Sequence, residues 1–216
     1  MKHPDKNECL QVLAEYGTPA HVVGHCKSVA AVACKLGEAL NAAGGTAAAP
    51  VSDITIELCT RESDGGRNYY KQAAGENEKY PSRLFDVDLI RAAGLLHDMA
   101  RAEENHWAVA ADFCEVRGFD EEAKAIRVHM SYEFISDADH LTEIDLLCLG
   151  DRLTLEDRYA GIDVRMDYII RKAERNGHPE ARPKILEKKE QTKELLRGIE
   201  RRIGPLDELM EDLIYD

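Results

Sequence analysis

The feature that most constrains this chain is a helical stripe with a histidine inside it. Val22, His25, Val29, Val32 and Leu36 recur at steps of three and four residues, the spacing that places side chains on one face of an α-helix. A helix is therefore predicted from Pro19 to about Leu40, with an imidazole set into the face that its neighbours turn to a core. Thr18 and Pro19 offer an N-cap and a first-turn residue, and Gly44 and Gly45 the break that follows. The same periodicity predicts helices over about 86–101, 104–117, 120–136, 141–155, 163–175 and 183–203, with a short last helix after Gly204 and Pro205. The chain reads as all-α.

Between Gly44 and Arg83 the residues turn small, polar and glycine-containing, and only VSDITIEL, residues 51–58, alternates in the manner of a strand. This stretch is read as an insertion or long loop, suited to act as a lid or a partner contact. It interrupts a domain expected to span residues 1–178. A helical extension follows over 179–216. From Lys184 to Arg202 its charges alternate in sign around Ile185, Leu195, Leu196, Ile199 and Ile203, which reads as a helix packing on the domain or on a second copy in a homodimer.

With 44% hydrophobic residues in 216, the chain has enough apolar material for one core. No run approaches the roughly 18 apolar residues of a membrane span, and MKHPDKNECLQ lacks the apolar segment of a signal peptide. A cytoplasmic protein without a membrane partner is expected. The six cysteines show no CxxC and no paired spacing, so reduced, mostly buried thiols are expected. A net charge of −13 is the wrong sign for a protein held to long nucleic acid by neutralising phosphates. It leaves small phosphorylated substrates open, because a bound cation can supply positive charge locally.

Polar residues stand where apolar ones belong at three points. Asp151 shares a stripe with Ile144, Leu147, Cys148 and Leu155; His25 lies between Val22 and Val29; His97 and Asp98 follow AAGLL. A buried carboxylate costs several kcal/mol unless a cation or hydrogen bonds replace its lost water, and a metal shared by these residues would resolve the conflict. Imidazole mixed with carboxylate suits iron, manganese, zinc, cobalt or nickel better than the all-oxygen sites of magnesium or calcium.

The segments HCKSVA at His25, AGLLHDMAR at His97 and Asp98, and LGDRLT at Asp151 resemble, in order and helical placement, the successive signatures of the HD superfamily of metal-dependent phosphohydrolases. The resemblance implies a helical bundle in which His25, His97, Asp98 and Asp151 bind a first divalent metal. It also implies a second ion for the subset similar to HD-type dinucleoside-tetraphosphate hydrolases. His106 in ENHWAVAADF and His129 in AIRVHMSYEF fall in the places of the added histidines, with Asp98 bridging. Met130 after His129 departs from the cyclic-dinucleotide branch with its GYP motif. The implied activity is hydrolysis of a phosphate ester or anhydride, a nucleotide or another small phosphorylated metabolite. Asp98 would then orient the water, Arg101 would stabilise charge on the phosphoryl oxygen, and His106 would serve as ligand or proton donor. Arg101 equally fits a surface arginine favoured near a helix C-terminus. Two other activities share this donor set: an HD-type oxygenase with two irons, and a non-catalytic sensor of nucleotide or metal.

Overall fold

A computed structural model describes residues 3–61, 67–72, 83–134 and 138–215. Among them the chain forms α1 (Lys6–Tyr16), α2 (Ala20–Ala42), β1 (Ile56–Arg61), β2 (Arg67–Gln72), α3 (Val87–Leu96), α4 (His106–Val116), α5 (Asp120–Val128), α6 (Glu143–Leu153), β3 (Thr154–Leu155), β4 (Arg158–Tyr159), α7 (Gly161–Arg175), α8 (Arg182–Ile203) and α9 (Leu206–Met210). The fold is all-α, with two small antiparallel hairpins, β1 with β2 and β3 with β4. No helix among the described residues is long and apolar enough to cross a membrane.

The central element is α2, which is buried on more than one side: Val29, Val32 and Leu36 carry the predicted stripe, and Ala30, Ala33 and Cys26 extend it around the helix. Small residues there let two helices come close. A Cβ on Gly94 of α3 would lie 2.7 Å from the Ala30 Cα, and one on Gly150 of α6 would lie 2.8 Å from the Val29 carbonyl oxygen and 2.9 Å from the Ala33 Cβ. Further along α2, Gly37 meets Ile90 of α3 and Leu146 of α6. Both partners therefore run antiparallel to α2, so their C-terminal ends arrive beside its first turns. On the far side of α3, α4 and α5 pack through Ala110, Ala111, Cys114, Ala123 and Ile126.

An additional helix, α1, precedes the predicted ones. Asp5 and Glu8 form a capping box at its start, and Gly17 ends it with φ 79°. Its Cys9, Val12 and Leu13 share a core with Leu95, Leu96 and Met99. Thr18 does not cap α2, whose N-cap is Pro19; its hydroxyl instead donates to the Met99 carbonyl at 2.9 Å, and the Tyr16 hydroxyl donates to Glu103. The N-terminal helix thus holds the turn that follows α3.

The helices predicted over 86–101 and 120–136 stop at Leu96 and Val128, for a reason that belongs to the site and is given below. The stretch read as a loop from Gly44 is partly built into the core: Ala47, Ala49, Val51 and Ile54 are buried. It then forms the β1–β2 hairpin, of which VSDITIEL contains the start. Strand β2 docks on the chain after α5, where the Tyr70 N–H donates to the Ser131 carbonyl and the Glu133 N–H to the Tyr70 carbonyl. The rest of the expected insertion, 62–66 and 73–82, lies outside the described residues, as do residues 135–136 of a predicted helix. Where the chain re-enters the domain, Arg83 grips the buried Glu143 of α6 with two 2.7 Å bonds. The C-terminal α8 packs on the domain, placing Leu195, Leu196 and Ile199 in one cluster with Val32, Leu36 and Leu40 of α2.

Because Gly94 and Gly150 face backbone and Cβ atoms that cannot swing aside, Gly94→Val and Gly150→Val are each expected to cost about 1–3 kcal/mol or more. Chemical denaturation measures this, and losses under about 0.5 kcal/mol, the scale of ordinary surface changes, would contradict the close approach.

Candidate metal centre

Three histidines are prepared for ligation by the same device. The Nδ1 atoms of His97 and His129 lie 2.8 Å from the Gly94 carbonyl oxygen and 2.7 Å from that of Ile126, and Nδ1 of His25 lies 2.9 Å from the Glu156 carbonyl oxygen. A carbonyl oxygen can only accept, so Nδ1 carries the proton in each ring and Nε2 presents a lone pair. His97 and His129 are the C-cap residues of α3 and α5. Each ring takes a last-turn carbonyl three residues back, in place of the N–H that a further helical turn would bring. That is why both helices end earlier than their periodicity predicts.

The remaining parts come from irregular backbone. Glu156, whose carbonyl orients His25, has φ 58° in the tight turn between β3 and β4, and Asn105, which precedes His106 at the start of α4, has φ 54°. Left-handed conformations of non-glycine residues carry strain and gather at functional sites.

All four Nε2 atoms converge on Asp98, which is 1% exposed. Its Oδ2 lies 3.6 Å from His25 and 3.5 Å from His97, and its Oδ1 lies 3.1 Å from His106 and 3.8 Å from His129. Two trios result, His25 with His97 and Asp98, and Asp98 with His106 and His129, each offering ligand atoms within 4.8 Å of one another. The rings fit the same arrangement, with centroids 5.4 Å apart for His25 and His97 and 6.1 Å for His106 and His129.

The chemistry of this donor set fits a metal. Nε2 of His25, His97, His106 and His129 and Oδ1 of Asp98 are all buried without a hydrogen-bond partner. Each such atom costs about 1–3 kcal/mol if nothing compensates it, and a cation placed among the five would compensate them together. Burial, together with the neighbouring His97, pushes the His129 pKa down to about 3. Burial, Arg101 and His97 also lower that of His106. Both rings are thus neutral in the ordinary pH range. The C-terminal ends of α3 and α5 add the negative pole of two helix dipoles.

Of the six residues expected to bind metal, five stand in the two trios. Asp151 sits beside them, with Oδ1 3.3 Å from His25 Nε2 and 3.5 Å from Arg165 Nη2. Its side chain is 22% exposed, less buried than its stripe predicts. Burial raises its pKa, but the neighbouring His25, Arg165 and His97 outweigh that and hold it well below the usual carboxylate range. Arg101 donates to Asp98 Oδ2 and also lines a cavity of about 710 Å³ that reaches His25 and includes His21, Arg165, Tyr168 and Lys172 in its walls. Arg165 and the Glu156 carbonyl were not legible beforehand: a backbone acceptor leaves no trace in residue type, and Arg165 lies on a helix whose stripe reads as ordinary packing. The six cysteines are free, five of them buried and Cys59 partly so.

Scans of this sequence and structure against protein-family models, curated proteins and solved structures return no match.

The shared carboxylate sets the expected stoichiometry. Asp98→Asn is expected to lose both ions, whereas His25→Ala and His129→Ala are each expected to lose about one, as measured by mass spectrometry after dialysis against manganese, iron or zinc. Equal metal content in all three variants and the unaltered protein would show that the trios hold nothing.

Proposed function

We propose that this chain is an HD-type phosphohydrolase that uses two divalent metals to cleave a phosphate ester or anhydride in a small phosphorylated metabolite, a nucleotide among the candidates. The observation that carries this reading is the pair of histidine trios sharing Asp98. It is in keeping with what the resemblance of HCKSVA, AGLLHDMAR, ENHWAVAADF and AIRVHMSYEF to HD signatures implies for His25, His97, Asp98, His106 and His129, while Asp151 of LGDRLT stands beside the trios. The donor set suits iron, manganese, zinc, cobalt or nickel. Bound there, such ions lower the pKa of water toward neutrality and polarise a phosphoryl oxygen.

The protein's own contribution is placement. Backbone carbonyls fix three imidazoles with Nε2 aimed inward, so ligand geometry is held before any metal arrives. Arg101 joins Asp98 to the cavity. A planar guanidinium there can meet two oxygens of a phosphate while staying charged at any working pH. Arg165, bonded to Asp151 and also on the cavity wall, supplies a second cation. In an acidic protein these two make the pocket locally hospitable to an anion. His106, with its lowered pKa and its ring 15% exposed, serves as a neutral ligand of the second trio.

The test is phosphate release from nucleotides, dinucleoside polyphosphates and simple phosphomonoesters by protein loaded with each of these metals. Arg101→Ala is expected to keep its metal while losing about 100-fold in kcat, and Asp98→Asn to lose both. Absence of release with every metal would sink the reading, and oxygen consumption in its place would move the iron form to the oxygenases.

A further inference from the structure

The wall of the cavity formed by α7 carries charge of one sign. Arg165, Tyr168, Ile169 and Lys172 line the cavity and stand at i, i+3, i+4 and i+7, one face of the helix. The acidic residues Asp163, Asp167 and Glu174 stand on the opposite face. There they are engaged by cations, Asp163 and Asp167 by Lys189, Asp163 by Lys193, and Glu174 by Arg182. The helix thus sends these anions toward its C-terminal partner, and Arg165 and Lys172, two of its four cations, toward the cavity. In a chain of net charge −13, that separation is not the default.

The two cations differ in their commitments. Arg165 reaches Asp151 at the metal end. Lys172, seven residues on, stands about 10 Å further along the helix axis at 1.5 Å per residue, and no ion pair engages it among the described residues. Between them, the partly buried Tyr168 and Ile169 offer an aromatic and aliphatic surface. Glu156 and Asp157 also line the cavity, and neither pairs with Lys172.

We infer that the cavity takes an elongated, doubly anionic ligand. Its phosphate lies at the Arg101 and Arg165 end, an apolar or aromatic middle lies on Tyr168 and Ile169, and a second anionic group meets Lys172. This rests on the site being a phosphate site, as proposed above, and adds Lys172 as a specificity-determining residue.

The experiment uses two phosphonates that resist hydrolysis, biphenyl-4-ylphosphonate and its 4′-carboxy derivative, titrated calorimetrically into the metal-loaded protein at low salt. The carboxylated compound is expected to bind about 3- to 5-fold more tightly, the range of an exposed ion pair. The preference should vanish in Lys172→Gln, reverse in Lys172→Glu, and fade as salt screens the pair, while metal content stays that of the unaltered protein. Equal affinities, failure of both compounds to bind, or a preference that survives Lys172→Gln would overturn the inference. The expected affinities without phosphate release from the matching phosphate esters would leave it standing and remove the hydrolase reading instead.

Discussion

Everything at the centre of this molecule depends on how closely α3 and α6 approach α2. The contacts of Gly94 with Ala30 and of Gly150 with Val29 and Ala33 leave no room for a single added carbon. Because α3 and α6 both run antiparallel to α2, the contact that builds the core also fixes the height at which His97, Asp98 and Asp151 face His25. A longer side chain at either glycine would move helix ends relative to one another. Ligand placement tolerates such shifts poorly, because a site loosened by about 1 Å is no longer preorganised. Packing and site are one constraint seen at two places along the same seam.

The histidines add a second constraint that works through helix ends. A helix terminates with carbonyls short of backbone donors, and His97 and His129 each turn Nδ1 to one while sending Nε2 beyond the end of the helix. One ring therefore does the work of a cap and stands as a candidate ligand. Glu156 does the converse for His25, lending a carbonyl from a strained turn. The arrangement leaves five buried polar atoms without partners, a local cost that the surrounding apolar clusters carry.

The all-helical class, the seam-forming stripe of α2 and His25, His97 and Asp98 were legible from periodicity and the polar residues set within it, whereas His106 and His129 entered only through the resemblance to HD signatures. Helix ends were less so. The 3.6-residue pattern of 86–101 continues smoothly past Leu96, because His97 and Arg101 sit where a longer helix would want them, and only the competing ring-to-carbonyl bond breaks it. Thr18 read as a cap by residue type, yet its hydroxyl found the Met99 carbonyl through a contact between distant segments. The insertion kept its alternating signal at Ile54, Ile56 and Leu58, but its docking on the chain after His129 is set by pairing with Ser131 and Glu133, which nothing local announces. The stripe of Asp151 points it toward the core, whereas the end of α6 opens toward Arg165.

One carboxylate shared between two trios has a consequence for what the site will attract. Neutral imidazoles contribute no charge, so the ligands that two divalent ions would meet bring one negative charge from Asp98, or two if Asp151 is counted. Against four positive charges that is a deficit, and Arg101 and Arg165 deepen it. A centre so composed is unfinished as an electrostatic object: with both ions in place it would stay cationic, and an anion drawn from solution would offset part of that charge. The protein as a whole repels anions by its net charge, yet this interior would hold a standing demand for one.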